Sequence, residues 1–153
     1  AAENAKKTEA IKNVLPEFQE LKDINMKSAM EDVELPFHLA YDANGNFIGA
    51  AVETFTNKGF SGNISLMVGI LADGTVNNIS VLQHAETPGL GSKMSEPSFK
   101  DQFNNKHADS FNFNVKKDGG DVDAITAATI SSRAFCDAVN RAISTFENNK
   151  GGF

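Results

Sequence analysis

"SGNISLMVGIL", Ser61 to Leu71, places Ile64, Leu66, Val68 and Ile70 at every second position. That is the period of a β-strand with one face on a core. "ADG" (72–74) follows as a turn, and "TVNNISVLQ" (75–83) reads as the returning strand. Upstream, "LPFHLAYDANGNFIGAAVETF" (35–55) repeats the plan as strand, Asn-Gly turn, strand. Helical patterns frame the strands. Ile11, Val14, Leu15, Phe18 and Leu21 recur at helical spacing, which predicts a helix over roughly Glu3 to Leu21, ended or kinked near Leu15 by Pro16. A second helix is predicted from about Ile130 to Phe146, with Phe135, Val139, Ala142 and Phe146 as its apolar stripe. "SFKDQFNN" (98–105) reads as a short helix, and "FNFNV" (111–115) alternates as a strand. The fold expected is α+β, an antiparallel meandering sheet flanked by helices.

The chain has 153 residues, which suits one core. Its net charge of -6, with no dense Lys/Arg cluster, excludes a nucleic-acid binder, which needs a basic face. One cysteine, Cys136, rules out an internal disulfide, a paired-thiol motif and a cysteine zinc site. Its place among apolar helix positions reads as a buried small hydrophobe. No apolar run is long enough to span a bilayer. The opening "AAENAKK" lacks Met, which reads as a chain that has lost a preceding segment.

Three stretches break the alternation. In "KGFSGNI" (58–64), Gly59 and Gly62 bracket an aromatic residue, which suits either a strand-connecting loop or a close backbone approach to a ligand. In "HAETPGLGSK" (84–93), Pro88 fixes φ while Gly89 and Gly91 permit positive φ, so the loop can be tight and rigid. His84 and Glu86 lack a third ligand, and His38 and His107 lie in other segments, so a metal site is not assigned. In "DAITAATISSRAF" (123–135), Thr126, Thr129, Ser131 and Ser132 crowd the start of the last helix. Free N–H groups and the helix dipole there favour an anion, although a hydroxyl N-cap without ligand fits the same residues.

Together the stretches resemble the covalent FMN-binding domain of the G subunit of the Rnf electron-transport complex, a family related to the C subunit of the sodium-pumping NADH:quinone oxidoreductase. "ETPGLG" followed by "DAITAATISS" carries the resemblance, and "IKNVLP" near the start supports it. Asp123, Thr126, Ala128 and Thr129 match the attachment motif D-x-x-[ST]-G-A-T. The resemblance implies FMN esterified through its phosphate to Thr129, with Ser131 and Ser132 at the hydroxyl positions that follow. It implies that Glu86, Thr87, Pro88, Gly89, Leu90 and Gly91 form the loop against the flavin ring. Two positions depart from the pattern: Ala127 stands where Gly is commonest, and "GFSG" replaces the usual "GYGG".

The function this implies is electron relay within a membrane-bound, ion-translocating complex. The partners implied are the complex's other subunits and a flavin transferase that uses FAD as donor. The location implied is the extracytoplasmic, periplasmic face of a bacterial inner membrane. Residues 1–22 would then be a helical segment following a removed membrane anchor, and 23–153 the FMN-binding domain. No catalytic residue and no metal is assigned. The C subunit of the quinone reductase, a non-redox module for a phosphorylated ligand or protein partner, and a stand-alone flavin reductase are the alternatives.

Overall fold

The computed structural model describes residues 2–28, 32–89 and 91–153. Helix α1 spans Ala2–Val14, and strands β1 (Glu20–Lys27), β2 (Glu34–Tyr41), β3 (Phe47–Gly59), β4 (Gly62–Leu71) and β5 (Val76–Gln83) follow it. Short helix α2 (Pro97–Lys100) and long helix α3 (Thr129–Asn149) complete the chain. The strands lie in the order β1-β2-β3-β4-β5, all neighbours antiparallel. The expected α+β meander is the fold observed.

The face of β4 read from its alternation meets α3. Ile64, Leu66, Val68 and Ile70 are fully buried, in one cluster with Phe135, Val139, Ala142 and Phe146. Helix α3 is also fixed by hydrogen bonds. Thr54 Oγ1 donates to the Ala138 carbonyl at 2.8 Å, and Thr56 Oγ1 to Asp137 Oδ2 at 2.8 Å. Cys136 is buried in this layer, and desolvation, then the charge of Asp118, pushes its thiol up to about 12.

The opposite face of the sheet carries α1. Ala10, Ile11, Val14 and Leu15 pack on Ala40, Ala51, Met67 and Leu82. The helix end lies on the backbone of β4, where a Cβ on Gly69 would stand 1.9 Å from the Val14 carbonyl oxygen. Asn77 Nδ2 donates to that carbonyl at 2.9 Å, and Asn78 Nδ2 to the Asn13 carbonyl at 3.0 Å. These bonds satisfy oxygens that a helix end leaves without partners.

Two sequence expectations change. Helix α1 stops at Val14, two residues before Pro16, and Leu21 belongs to β1, paired with Ala40. The helical spacing beyond Pro16 was coincidence with a strand that is largely exposed. "FNFNV" forms no ladder, only one parallel bridge from Val115 to Val122. Its alternation reflects Phe113 and Val115 turning into the core, where Phe113 stacks on Phe103 at 6.1 Å.

Candidate functional site

Three connections meet at one place: the β3–β4 tip, the loop after β5, and the first turn of α3. At the tip Gly59 pairs with Gly62, leaving Phe60 and Ser61 as a two-residue loop. A Cβ on Gly59 would lie 2.3 Å from the Gly62 carbonyl oxygen, and Gly62 has φ +110°. These glycines therefore serve the tight turn. The turn leaves Phe60 68% exposed.

The loop after β5 is tied to that tip by a buried carboxylate. Glu86 is 4% exposed. Its Oε1 accepts from the Phe60 N–H at 2.9 Å, and its Oε2 from the Ser61 N–H at 2.8 Å. From α3, the Ser131 hydroxyl donates to Oε1 at 2.5 Å. Burial alone would raise the carboxyl, but the Ser131 hydroxyl and the two amides outweigh it and hold it below the usual range. Gly89 has φ +78°, as the sequence allowed, and Gly91 does not need positive φ. Gly91 is required sterically, because a Cβ there would lie 2.5 Å from Ser131 Oγ and 2.7 Å from Glu86 Cβ. Thr87, Pro88 and Gly89 form the exposed part of the loop, and Leu90 lies outside the described residues.

Helix α3 begins without a side-chain cap, since its N-cap is Ala128. Ala127 before it has φ +62°, a left-handed conformation that favours glycine. Ser132 braces this turn from inside: its Oγ accepts from the Ile125 N–H at 2.9 Å and donates to the Ala128 carbonyl at 2.9 Å.

Between these walls lies a cleft of about 360 Å³, lined by Phe60, Thr87, Gly91, Ala127, Ala128, Thr129, Ile130 and Ser131. Of the residues expected at the site, Thr87, Gly91, Ala128, Thr129 and Ser131 meet here, with Glu86 directly behind. Ser132 faces the interior, and Asp123 and Thr126 line a separate groove of about 300 Å³ beside Gln102 and Lys93. Gln102 holds that strand of backbone at both ends, its Oε1 accepting from the Asp123 N–H at 2.7 Å and its Nε2 donating to the Asp123 carbonyl at 2.9 Å. Sequence reasoning did not single out Ile130, which is 48% exposed on the cleft wall. Its signal is an apolar residue in the first helical turn lying off the buried stripe. His84 Nδ1 accepts from the Glu86 N–H at 3.1 Å. Among the described residues no cluster of His, Cys, Asp and Glu could hold a metal, and no helix is long and apolar enough to cross a membrane.

Residues 59–144 match the family described as the FMN-binding domain, and that span holds every wall of the cleft. The chain belongs to this family. Within it, the chain is 37% identical over 148 residues to the G subunit of the ion-translocating oxidoreductase complex of Methanosarcina acetivorans, covering 94% of this chain and 76% of that one. It is 41% identical over 124 residues to the G subunit of Shewanella baltica and 43% over 114 residues to that of Aliivibrio fischeri ES114, covering 78% and 71% of this chain. The chain spans only 58% and 54% of those two relatives. Its fold is that of the crystal structure of the C subunit of Na(+)-translocating NADH-quinone reductase from Parabacteroides distasonis, with TM-score 0.66 at 19% identity over 98% of this chain and 83% of that one. Shewanella oneidensis NqrC follows with TM-score 0.59 at 19% identity, covering 95% and 73%.

The cleft suits FMN by its own chemistry. Phe60 and Ile130 offer apolar walls for a flat ring system, and alanines at 127 and 128 leave room beside the helix. A hydroxyl residue stands at the first position of a helix whose end no side chain caps, where an anionic phosphate is favoured.

Proposed function

We propose that this chain is the flavin-carrying part of the G subunit of a membrane-bound, ion-translocating oxidoreductase complex, holding FMN by a phosphoester to Thr129. The observation that carries the linkage is the position of Thr129, on the cleft wall and at the uncapped start of a 21-residue helix. A phosphodiester there retains about one negative charge, and the helix N-terminus stabilises it by about 0.3–1 kcal/mol. Once bound, the flavin supplies the redox chemistry, and the protein supplies position and electrostatics. Phe60, Ile130 and Thr87 would flank the ring, and Ala127 with Ala128 would give it access to the helix end. The ester keeps the carrier in place between turnovers, and Thr129 takes no part in electron transfer. A separate flavin transferase using FAD as donor installs the group. The complex's other subunits are the electron partners, and the domain works on the extracytoplasmic, periplasmic side, held by an N-terminal anchor. Identities of 37–43% to the G subunits, against 19% to the quinone reductase's C subunit, favour the former complex.

Intact mass after co-expression with a flavin transferase tests the linkage. The chain should gain the mass of one FMN residue, and Thr129→Ala should abolish the gain and the flavin fluorescence of the denatured band. Loss of attachment in Thr126→Ala with retention in Thr129→Ala would overturn the assignment.

A further inference from the structure

Glu86 is buried yet does not line the cleft; Phe60, Gly91 and Ser131, which it touches or abuts, do. It lies behind the wall and joins three segments through its two oxygens. Resting on the reading that FMN occupies this cleft, we propose that Glu86 is a positioning residue: it fixes the separation between the β3–β4 tip and the first turn of α3, and so holds Phe60 as one wall for the flavin ring while Thr129 is presented on the other. An ionised carboxylate only accepts hydrogen bonds, which matches the donors it meets, the amides of Phe60 and Ser61 and the hydroxyl of Ser131. Two successive amides at a turn form an anion-binding concavity, and Glu86 fills it from within the chain. Phe60 is too exposed for packing to set its place, so its backbone must do so. Gly91 lets the loop close on the Glu86–Ser131 contact with no room for a methyl group. The carboxylate also puts a buried negative charge behind one wall, which disfavours added electrons on a ring held there.

The test uses the full-length protein isolated with its flavin, as wild type, Glu86→Gln, Glu86→Asp, Gly91→Ala and, as a control, Thr54→Val. Thr54 makes a buried hydrogen bond to α3 outside the cleft. Glutamine is nearly isosteric but sets an NH₂ donor against an amide or hydroxyl donor. Glu86→Gln should speed hydrogen exchange at residues 60–61 at least tenfold, perturb the visible flavin band and raise the midpoint potential. Glu86→Asp, which keeps both acceptors, should partly restore all three. Gly91→Ala wedges the pair apart with the carboxylate retained, and should show the exchange and spectral changes even where Glu86→Gln does not fold. Thr54→Val should lower thermal stability and leave the flavin band and the potential unchanged. Faster exchange in Glu86→Gln with an unaltered band and potential would reduce Glu86 to a structural tie and overturn the proposal, as would unchanged exchange. Wild-type protein co-expressed with a flavin transferase yet isolated without flavin would overturn the functional reading itself.

Discussion

Ala127 stands where the family motif most often has glycine, and its φ of +62° gives the physical reason. A left-handed backbone costs an alanine about 1–2 kcal/mol. Glycine removes that strain but adds unfolded-state entropy of about 0.4–1 kcal/mol. Ala127→Gly should therefore stabilise the fold by about 0.5–1 kcal/mol, a rise of roughly 1–4 °C in Tm. Ala127→Val should destabilise it, since β-branched residues tolerate positive φ poorly. Calorimetry on the two variants checks both signs, and a lower Tm in Ala127→Gly would show that the turn carries no strain. This position also shows what a motif conceals. The spacing of Asp123, Thr126 and Thr129 gives no hint that the first two face a different groove from the third.

Each helix holds its face of the sheet by a different means. Helix α3 does so through apolar area and the hydrogen bonds from Thr54 and Thr56, whereas α1 adds to its apolar packing a close backbone approach, the Val14 carbonyl over Gly69. Gly69→Ala leaves no space for that contact, so α1 must shift, at a cost of about 1–3 kcal/mol. Urea unfolding should show the loss, and limited proteolysis should cut faster between residues 14 and 20; unchanged stability would mean that α1 does not press on β4. An ion cluster ties the same layer. His38 on β2 hydrogen-bonds Asp23 of β1 at 2.8 Å and Glu53 of β3 at 2.7 Å, and Lys7 of α1 lies 3.1 Å from Glu53. Burial lowers the His38 pKa, but the two carboxylates outweigh it and the net shift is upward from 6.5. Glu53 is shifted down from 4.5, chiefly by its bond to His38. A raised histidine stabilises the fold below its unfolded value, and this is lost as pH rises through the folded value. A lowered carboxylate stabilises it above its unfolded value, and this is lost as pH falls through the folded value. The cluster's contribution should therefore be greatest between pH 4.5 and 6.5, and His38→Asn should flatten that part of the stability profile. A profile identical to wild type would remove the cluster from the pH response.

At the scale of the whole molecule, the described residues that line the cleft include no acid or base, since Glu86 is buried behind it and His84 accepts from a backbone amide. A relay needs no such group, whereas a flavin reductase usually does. Under the proposed relay function, the flavin-loaded chain by itself should accept electrons from a chemical reductant and turn over NADH no faster than free FMN. Steady turnover above that rate would favour a stand-alone reductase. Four strands of the meander, β2 to β5, were legible because each pairs with its sequence neighbour, so alternation and turns carried the information, whereas β1 is too exposed to show its alternation. The start of α3 was legible for a similar reason, the local crowding of hydroxyl residues. What the sequence hid were contacts between distant positions: Glu86 with Phe60, Ser61 and Ser131, and Gln102 with Asp123. Alternation also misled at "FNFNV", where burial without a ladder leaves the same imprint as a strand.

The Glu86 tie has a consequence in time as well as in space. The hairpins can zip between near neighbours, but Glu86 must close a span of 26 residues to Phe60 and one of 45 to Ser131. The bond to Ser131 can form only once α3 lies on the sheet, a docking whose own bonds from Thr54 to Ala138 and Thr56 to Asp137 span 84 and 81 residues, so the completed tie belongs late in folding. Thr129, at the first turn of α3, is therefore set into its finished surroundings only on a completed fold. Flavin attachment that depends on those surroundings would by that ordering act as a check on folding, marking chains that have already closed.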